Sequence, residues 1–281
     1  MRVRVDQRPT DNLRADAGPT LDSGDPQRSR VQHSAAMSED TREPVRIAMW
    51  SGPRNLSTAM MRSFENRPDC SVVDEPLYAS YLVATGLDHP GRDDVIASQH
   101  SDPSVVVAAL TGGPVATPVQ YQKHMAHHLL PAFPRGPLAS LRHAFLVRDP
   151  RRVLTSYAKV REEPTLEDLG LPQQLELFET FGGPVVDAVD VLRDPRGTLT
   201  LLCDALGIGF HESMLSWPEG PRDTDGVWAR HWYANVEAST GFARHSPASG
   251  DPMPDRFAPL LERCRPYYGA LAPYRLSPQE A

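Results

Sequence analysis

The chain has 281 residues, 40% of them hydrophobic and 23% charged, and this ordinary soluble composition excludes a chain that is disordered throughout. The formal net charge of −7 argues against a general binder of nucleic acids or anionic membranes, because such proteins present a basic surface. Any anion-binding site is therefore expected to be local.

Three widely spaced cysteines predict neither a disulfide framework nor a metal-binding knuckle, and they fit a reducing compartment. The longest apolar run, from Val105 to Leu110, is far shorter than the ~20 residues of a membrane-spanning helix. The N-terminus also lacks the apolar core of a signal peptide. We therefore expect a cytoplasmic protein with no membrane partner.

Residues 1–44 are predicted to form a disordered tail. They are rich in Asp, Arg, Pro, Ser and Gly and show no apolar periodicity. Such a segment cannot bury enough surface to offset the entropy lost on ordering. The folded domain is predicted to begin at Val45 and to comprise residues 45–281.

From Val45 onward, short apolar runs alternate with helix-like stretches, which predicts βαβ crossovers and a mainly parallel sheet with helices on both faces. Two polar regions without clear periodicity, Asp88 to Asp102 and Trp217 to Pro254, are predicted to be loops on the substrate side. The predicted strands are Val45 to Trp50, Ser71 to Val73, Thr117 to Gln122, His143 to Val147 and Pro184 to Asp187. The predicted helices are Ser57 to Arg67 (with Ser57 as N-cap), His124 to Leu130, Pro150 to Val160 and Pro195 to Leu206.

The turn after the first predicted strand, WSGPRNLST, is suited to an anion. Gly52 allows a tight turn, Arg54 supplies a cation, and Ser57 and Thr58 place hydroxyls at the start of the next helix. The turn is not a Walker A loop, because it lacks the second glycine and the lysine of that pattern. It can cradle a phosphate or sulfate, and a plain capped turn is the alternative.

The turn after the fourth predicted strand, FLVRDPRRVLTSY, is a second candidate. Arg148 leaves the strand, Asp149 and Pro150 open the helix, and Ser156 lies eight residues beyond Arg148. A guanidinium and a hydroxyl from the following helix can hold one terminal phosphate. A solvated helix start is again the alternative.

Together and in this order, the two turns resemble those of the sulfotransferases that use 3′-phosphoadenosine 5′-phosphosulfate (PAPS). In the bacterial branch of that family the first turn reads roughly P-R-S-G-S-T and the second reads R-D-P followed by S-Y. The resemblance spans Val45 to about Leu215. Weaker similarities are found in DEPLY (Asp74 to Tyr78) and in WARHWY (Trp228 to Tyr233). The matching runs here are Pro53-Arg54-Asn55-Leu56-Ser57-Thr58 and Arg148-Asp149-Pro150 with Ser156-Tyr157.

The resemblance implies a P-loop-like three-layer α/β sandwich that uses PAPS as sulfuryl donor. It further implies that Arg148 and Ser156 hold the 3′-phosphate. Asn55 and Leu56 replace the usual Ser-Gly, so a leucine side chain stands where the backbone approaches the donor, unless Leu56 faces the core. The residues implied for the 5′-phosphosulfate loop are Arg54, Asn55, Leu56, Ser57 and Thr58.

Sulfuryl transfer needs positioned donors for the leaving and in-line oxygens and requires no metal. Arg54 is suited to the leaving phosphate. Lys123, one of only two lysines in the chain, is predicted to donate to the sulfuryl oxygens. Three histidines, His124, His127 and His128, have a spacing that can suit a metal, but no carboxylate or cysteine in the run completes such a site.

The acceptor hydroxyl needs a general base, for which Glu75, Asp74 and the three histidines are candidates. Glu75 is favoured, because it directly follows a predicted strand at the carboxyl edge of the sheet and Pro76 restrains it from the helical region. His124 is the alternative. In one branch of the family a Lys-x-His pair marks the base, but here Met125 occupies the histidine position.

The sequence thus predicts sulfuryl transfer from PAPS to a hydroxyl or amine of a small-molecule acceptor, without metal and without a nucleic-acid partner. The first alternative is a P-loop kinase using ATP and Mg²⁺, against which the missing Walker residues count. The second alternative is a nucleotide-binding module without turnover, which Leu56 keeps open. The identity of the acceptor is not readable, because loops build acceptor pockets.

Overall fold

The computed structural model describes residues 43–158, 163–244 and 253–278. The predicted tail, residues 1–44, lies outside the described residues except for Glu43 and Pro44. The end of the helix predicted from Pro150 to Val160 and part of the loop predicted from Trp217 to Pro254 also lie outside them.

Within these residues, five strands form one sheet in which every pairing is parallel. The strands are β1 (Val45–Ser51), β2 (Cys70–Asp74), β3 (Val119–Met125), β4 (Arg142–Val147) and β5 (Val185–Asp187). Their order in the sheet is β2-β3-β1-β4-β5, so the first strand is central and the chain crosses over between neighbours. The predicted mainly parallel α/β architecture is therefore confirmed.

Helices follow or precede each strand of the sheet. The α-helices of the described residues are α1 (Ser57–Glu65), α2 (Tyr78–Thr85), α3 (Arg92–Ser98), α4 (Pro103–Gly112), α5 (Pro150–Tyr157), α6 (Leu171–Phe181), α7 (Ala188–Arg193), α8 (Pro195–Ala205), α9 (Ala229–Trp232), α10 (Ala234–Glu237) and α11 (Ala258–Leu271). Several of these helices, including α2, α3, α4, α6 and α11, were not predicted, and α3 lies inside the predicted loop from Asp88 to Asp102.

The central strand shows why helices cover both faces of the sheet. Ile47 and Met49 point into one apolar cluster, which also contains side chains of α1, α2 and α8. Ala48 and Trp50 point into a second cluster with side chains of α4, α6 and α11. All four strand residues are fully buried, as expected for a parallel strand between two helical layers.

The helix predicted from His124 to Leu130 is wrong. His124 and Met125 are the last residues of β3, where they pair with Trp50 and Ser51 of β1. Only Ala126–His128 forms a helical turn, and it is of the 3₁₀ type. The i, i+3, i+4 spacing of the histidines therefore spans a strand end and a turn, because pairing with the central strand outweighs local helical periodicity.

Helix α1 begins at the predicted residue but not with the predicted cap. Ser57 is the first helical residue, and the N-cap is Leu56, in the left-handed region at φ 61°. The cap contributes no side-chain hydrogen bond to the first N–H groups of the helix. The prediction of Ser57 as N-cap is thus wrong by one position, because the turn before the helix curls through left-handed backbone.

Candidate functional site

The loops that carry the predicted site residues meet at one edge of the sheet. Because all five strands are parallel, their carboxyl ends lie at this edge. The Arg54 loop follows β1, Glu75 follows β2, Lys123 lies near the end of β3, and Arg148 follows β4. The edge therefore gathers all four strand-end segments that the sequence singled out.

The loop after β1 is tightly curled. Arg54 and Leu56 both have positive φ, at 59° and 61°, which costs about 1–2 kcal/mol for each residue other than glycine. Gly52 has no room for a side chain, since a Cβ atom there would overlap the carbonyl oxygen of Leu169. The Leu56 side chain packs, half-buried, against the apolar cluster on the α1 face. The leucine therefore faces the core, and the backbone of the loop faces the carboxyl edge.

Asn55 anchors this loop to the neighbouring strand. Its side-chain Nδ2 donates to the carbonyl oxygen of Leu146 in β4, and Gln174 of α6 donates to the same oxygen. Asn55 Oδ1 is buried and has no hydrogen-bond partner among the described residues. Beyond the loop, Ser57 is buried and Thr58 is half-buried in the first turn of α1.

The two arginines of the predicted phosphate loops are in direct contact. The Arg148 guanidinium donates to the carbonyl oxygen of Arg54 over 2.7 Å. Arg54 Nε in turn donates to Ser156 Oγ in α5 over 3.0 Å. The structure thus brings Arg54, Arg148 and Ser156 together from three segments of the chain.

The arginine cluster carries an excess of positive charge. Burial lowers the pKa of Arg148, and the charges of Arg152 and Arg54 lower it further. Neither Arg54 nor Arg148 forms an ion pair of hydrogen-bonding length with a carboxylate among the described residues. Guanidinium groups held together in this way repel one another, and an anion bound between them relieves the repulsion.

A second charged cluster lies at the ends of β2 and β3, and its charges are paired. Lys123 Nζ donates to Asp74 Oδ1 over 2.8 Å, to Glu75 Oε1 over 2.5 Å and to the Tyr233 hydroxyl over 2.6 Å. The Lys123 side chain is only 1% exposed. Since an ammonium group has three donors, all of them are used inside the protein.

Tyr233 links this cluster to the chain beyond residue 220. Its hydroxyl donates to Asp74 and accepts from Trp228 Nε1, and the backbone N–H of Gly226 also donates to Asp74. In the sequence, Tyr233 stands out only as part of the run WARHWY, and no role is predicted for it. A separation of 110 residues from Lys123 leaves no local signal for this contact.

Two opposing effects determine the pKa values of the paired cluster: burial, which disfavours charged groups, and the attraction between Lys123 and the two carboxylates. Burial raises the pKa of Glu75, and the negative charge of Asp74 adds to the rise, whereas Lys123 opposes it. For Lys123 burial works to lower the pKa, but Asp74 and Glu75 outweigh it, so the pKa lies well above its ordinary value. Lys123 therefore remains charged, next to a carboxylate that holds a proton more readily than a free one.

Glu75 adopts an unusual backbone conformation, with φ at 39°. Its backbone N–H donates to the carbonyl oxygen of Lys123, and its carbonyl oxygen accepts from the Gln99 side chain. These contacts hold a strained residue at the strand end, directed into the carboxyl edge. Strain of this kind is concentrated in functional sites.

His124 lies on the opposite face of the sheet from Lys123. Its ring stacks on Trp50 with centroids 4.3 Å apart, and its Nε2 lies 3.2 Å from Gln122 Oε1. Burial, with a smaller contribution from His143, lowers the pKa of His124 to about 3. The structure therefore does not bring His124 together with the other predicted site residues.

Across residues 43–158, 163–244 and 253–278, no group of three or more His, Cys, Asp and Glu side chains is arranged to hold a metal ion. In the same parts of the chain, no helix has the length and apolar character needed to cross a bilayer.

Comparison with known proteins gives two curated relatives. Two Arabidopsis thaliana proteins, named branched-chain-amino-acid aminotransferase-like protein 1 and 2, are 41% and 37% identical over 82% and 80% of this chain. The matches cover 42% and 41% of those proteins, so the chain spans about two fifths of their length.

Three solved structures are also similar. They are the sulfotransferase domains of a Synechococcus olefin synthase and of the curacin biosynthetic pathway, and a sulfotransferase from Alicyclobacillus acidocaldarius, at 19%, 15% and 13% identity. The TM-scores are 0.43, 0.45 and 0.45. The matches cover 79%, 85% and 83% of this chain and 94%, 100% and 96% of the others.

A family model described as a sulfotransferase domain matches residues 45–274, which is most of the chain. The match includes both arginine-bearing loops and the paired cluster at the ends of β2 and β3. It supports sulfuryl transfer over the kinase alternative. The resemblance inferred from the sequence is thereby confirmed at the level of the family, and this chain belongs to the sulfotransferase family, whose members are enzymes that transfer a sulfuryl group.

Proposed function

We propose that the chain transfers a sulfuryl group from PAPS to a hydroxyl or amine of a small-molecule acceptor. The observation that carries the proposal is the contact between Arg54, Arg148 and Ser156 at the carboxyl edge. Among the described residues, no carboxylate is hydrogen-bonded to either arginine. The two guanidinium groups and the hydroxyl therefore suit a donor that carries phosphate at both ends.

The loop after β1 is suited to the 5′-phosphosulfate. The N-terminus of α1 favours an anion, and its Leu56 cap offers no competing side-chain acceptor. Ser57 and Thr58 begin the helix, and Arg54 precedes it. Packing of Leu56 against the core removes the obstacle that a leucine in this loop presented to donor binding.

Arg148 and Ser156 are suited to the 3′-phosphate. Arg148 is half-buried, and burial together with the charges of Arg152 and Arg54 lowers its pKa, so a phosphate there gains a strong charge-assisted contact. Ser156 is the second-to-last residue of α5, and its hydroxyl accepts a hydrogen bond from Arg54 Nε. The cluster thus joins the proposed 5′ and 3′ sites through a single side chain, Arg54.

Glu75 is the proposed general base. Lys123 holds its Oε1, which leaves Oε2 as the oxygen that can accept the proton of the acceptor. Burial raises the pKa of Glu75, which suits a base that must bind a proton during turnover. His124 is unsuited to the role, because it is buried on the opposite face of the sheet.

In the proposed reaction, Glu75 takes the proton from the acceptor O–H or N–H as that atom attacks the sulfur of the donor. The bond between sulfur and the bridging oxygen breaks, and its electron pair remains on the 5′-phosphate of adenosine 3′,5′-bisphosphate (PAP). Arg54 and the N–H groups of α1 stabilise the charge on that phosphate. All three donors of Lys123 are occupied, so its proposed role is to hold Glu75.

The test measures the release of PAP from PAPS without magnesium, in the presence of each of three acceptors in turn. The acceptors are benzyl alcohol, 4-nitrophenol and phenethylamine. We expect release that depends on at least one acceptor class, with the sulfate recovered on that acceptor by mass spectrometry. Binding of PAPS with no release in any class would favour a nucleotide-binding module. Phosphoryl transfer from ATP in the same panel would favour a kinase.

A further inference from the structure

His128 lies beside Glu75, and two tyrosine rings fix its orientation. The Tyr78 ring stacks on one side, with centroids 4.5 Å apart and planes 12° apart, and the Tyr81 ring stacks at 4.7 Å and 27°. The His128 side chain is 4% exposed. Because the ring is held by stacking, its nitrogen atoms have defined directions.

One of these nitrogens faces the proposed base. His128 Nδ1 lies 3.9 Å from Glu75 Oε2, which is too long for a hydrogen bond. Nδ1 is buried and has no hydrogen-bond partner among the described residues. The other carboxylate oxygen of Glu75, Oε1, already accepts from Lys123. A buried polar atom without a partner is uncommon and calls for an explanation.

The distance is explained if both atoms are acceptors. An ionised carboxylate oxygen can only accept, and a neutral imidazole carries a proton on one nitrogen while the other accepts. Burial, with the nearby His127, His89 and Lys123, lowers the pKa of His128 well below its ordinary value, so the ring is neutral. With its proton on Nε2, His128 presents a lone pair to Oε2, and the two atoms stay apart.

Other groups around the pair do not supply the missing proton. The Tyr78 hydroxyl is paired with His89 Nδ1 at 2.9 Å, and Lys123 uses its donors on Asp74, Glu75 and Tyr233. Titratable groups from several neighbouring elements interact electrostatically with the His128–Glu75 pair. They are Asp74, Lys123 and His124 at strand ends, Tyr78 in α2, His89 after α2, His127 in the 3₁₀ turn and Tyr233 before α10.

We propose that His128 is a positioning residue that accepts a hydrogen bond from Glu75 once Glu75 has taken the proton of the acceptor; this rests on the proposed function, in which Glu75 is the base. Before transfer, Oε2 is ionised and faces Nδ1 as one acceptor faces another. The acceptor proton then bonds to Oε2, and the electron pair of the broken O–H or N–H bond forms the new bond to sulfur. The Oε2–H group donates to Nδ1 as a shift of about 1 Å closes the gap.

His128 and Lys123 therefore act on Glu75 in opposite senses. Lys123 at Oε1 stabilises the ionised carboxylate, and His128 at Oε2 stabilises the protonated carboxyl group. An interaction that strengthens as the proton moves to Glu75 stabilises the transition state more than the ground state. Lys123 and His128 together thus stabilise Glu75 both before and after it takes the proton.

The test is the protonation state of His128 in the full chain, labelled with ¹⁵N-histidine and followed by NMR as a function of pH. His128→Phe keeps an aromatic ring in the stack and identifies the signals by their loss. We expect Nε2 to be protonated and Nδ1 to shift toward the hydrogen-bonded position as Glu75 titrates. Glu75→Gln should hold Nδ1 in that position at every pH, because its amide donates permanently. A proton on Nδ1, or an Nδ1 signal unaffected by pH and by Glu75→Gln, would overturn the proposal.

Turnover gives a second readout, measured with the acceptor panel and PAPS. His128→Phe should slow sulfuryl transfer about 3- to 10-fold while the affinity for PAP is unchanged. His128→Asn, whose amide oxygen can occupy the place of Nδ1, should recover part of the rate. Wild-type rates in His128→Phe would contradict the proposal. If Glu75→Gln keeps full turnover while the NMR result holds, the base assignment fails and the Glu75–His128 pair stands.

Discussion

Two charged clusters lie at the same edge of the sheet, and they are built in opposite ways. Arg54 and Arg148 bring like charges together without a carboxylate hydrogen-bonded to either among the described residues. Lys123 instead donates its three hydrogen bonds to Asp74, Glu75 and Tyr233, and its side chain is almost fully buried. Like charges at an accessible edge call for an external anion, whereas buried opposite charges fix one another in place. The first cluster is suited to binding, and the second is suited to holding a reactive carboxylate.

The contrast is tested most severely by removing the carboxylate charge of Glu75. Glu75→Gln should lower turnover by about 10²–10⁴-fold, as expected for loss of a general base, while PAP binding is retained. Glu179→Gln, at an exposed position of α6, is the matched control and should leave both quantities unchanged. Equal turnover in the two variants would remove Glu75 from the reaction.

The next largest effect is expected at Lys123. Lys123→Met leaves two buried carboxylates without their partner, which should cost about 3–5 kcal/mol of unfolding free energy. Loss of the ammonium raises the pKa of Glu75 further, so activity should disappear at a higher pH than in the wild type as the solution is acidified.

The sign of the pH effect on the stability of Lys123→Met follows from the same charges. A carboxyl whose pKa is raised in the folded state favours folding when protonated, so the stability deficit should shrink at low pH and grow as pH rises through the pKa of Glu75. Asp74→Asn in the Lys123→Met background removes one of the two unpaired charges and should recover part of the melting temperature. A deficit that is independent of pH and unaffected by Asp74→Asn would show that Lys123 acts through packing alone.

The smallest effect is expected at the arginine cluster, because its members are half-buried and no internal carboxylate is left unpaired by their loss. Arg148→Ala should weaken PAP binding by about 1.5–3 kcal/mol and barely change the binding of adenosine 5′-phosphate, which lacks the 3′ group. Arg151→Ala, an exposed neighbour on α5, is the control and should change neither affinity. Titration calorimetry measures both, and equal losses for the two nucleotides would assign Arg148 a structural role.

The arginine cluster was accessible to sequence reasoning, and much of the paired cluster was not. Arg54 and Arg148 each follow an apolar run directly, so a parallel sheet places both at its carboxyl edge. The contacts of Lys123 with Glu75 and Tyr233 join residues 48 and 110 positions apart, and no local pattern encodes them. The helix predicted from His124 to Leu130 failed for a related reason, since β3 extends to Met125 by pairing with a strand that is distant in the sequence.

The backbone conformation of the loop after β1 could not be predicted from the sequence either. The left-handed conformations of Arg54 and Leu56 are unfavourable for both residue types and persist because Asn55 is tied to β4 and Leu56 packs into the core. The Asn-Leu pair in place of the usual Ser-Gly therefore supports the loop through one polar contact with β4 and one apolar contact with the core.

A thermal-shift titration of PAP against Mg-ATP shows whether the edge of the sheet binds a nucleotide with phosphates at both ends and without metal. A ligand that binds only the folded state raises the melting temperature with concentration. We expect PAP to raise the melting temperature in the absence of magnesium and Mg-ATP to have a much smaller effect. Stabilisation by Mg-ATP alone would refute nucleotide binding of this kind.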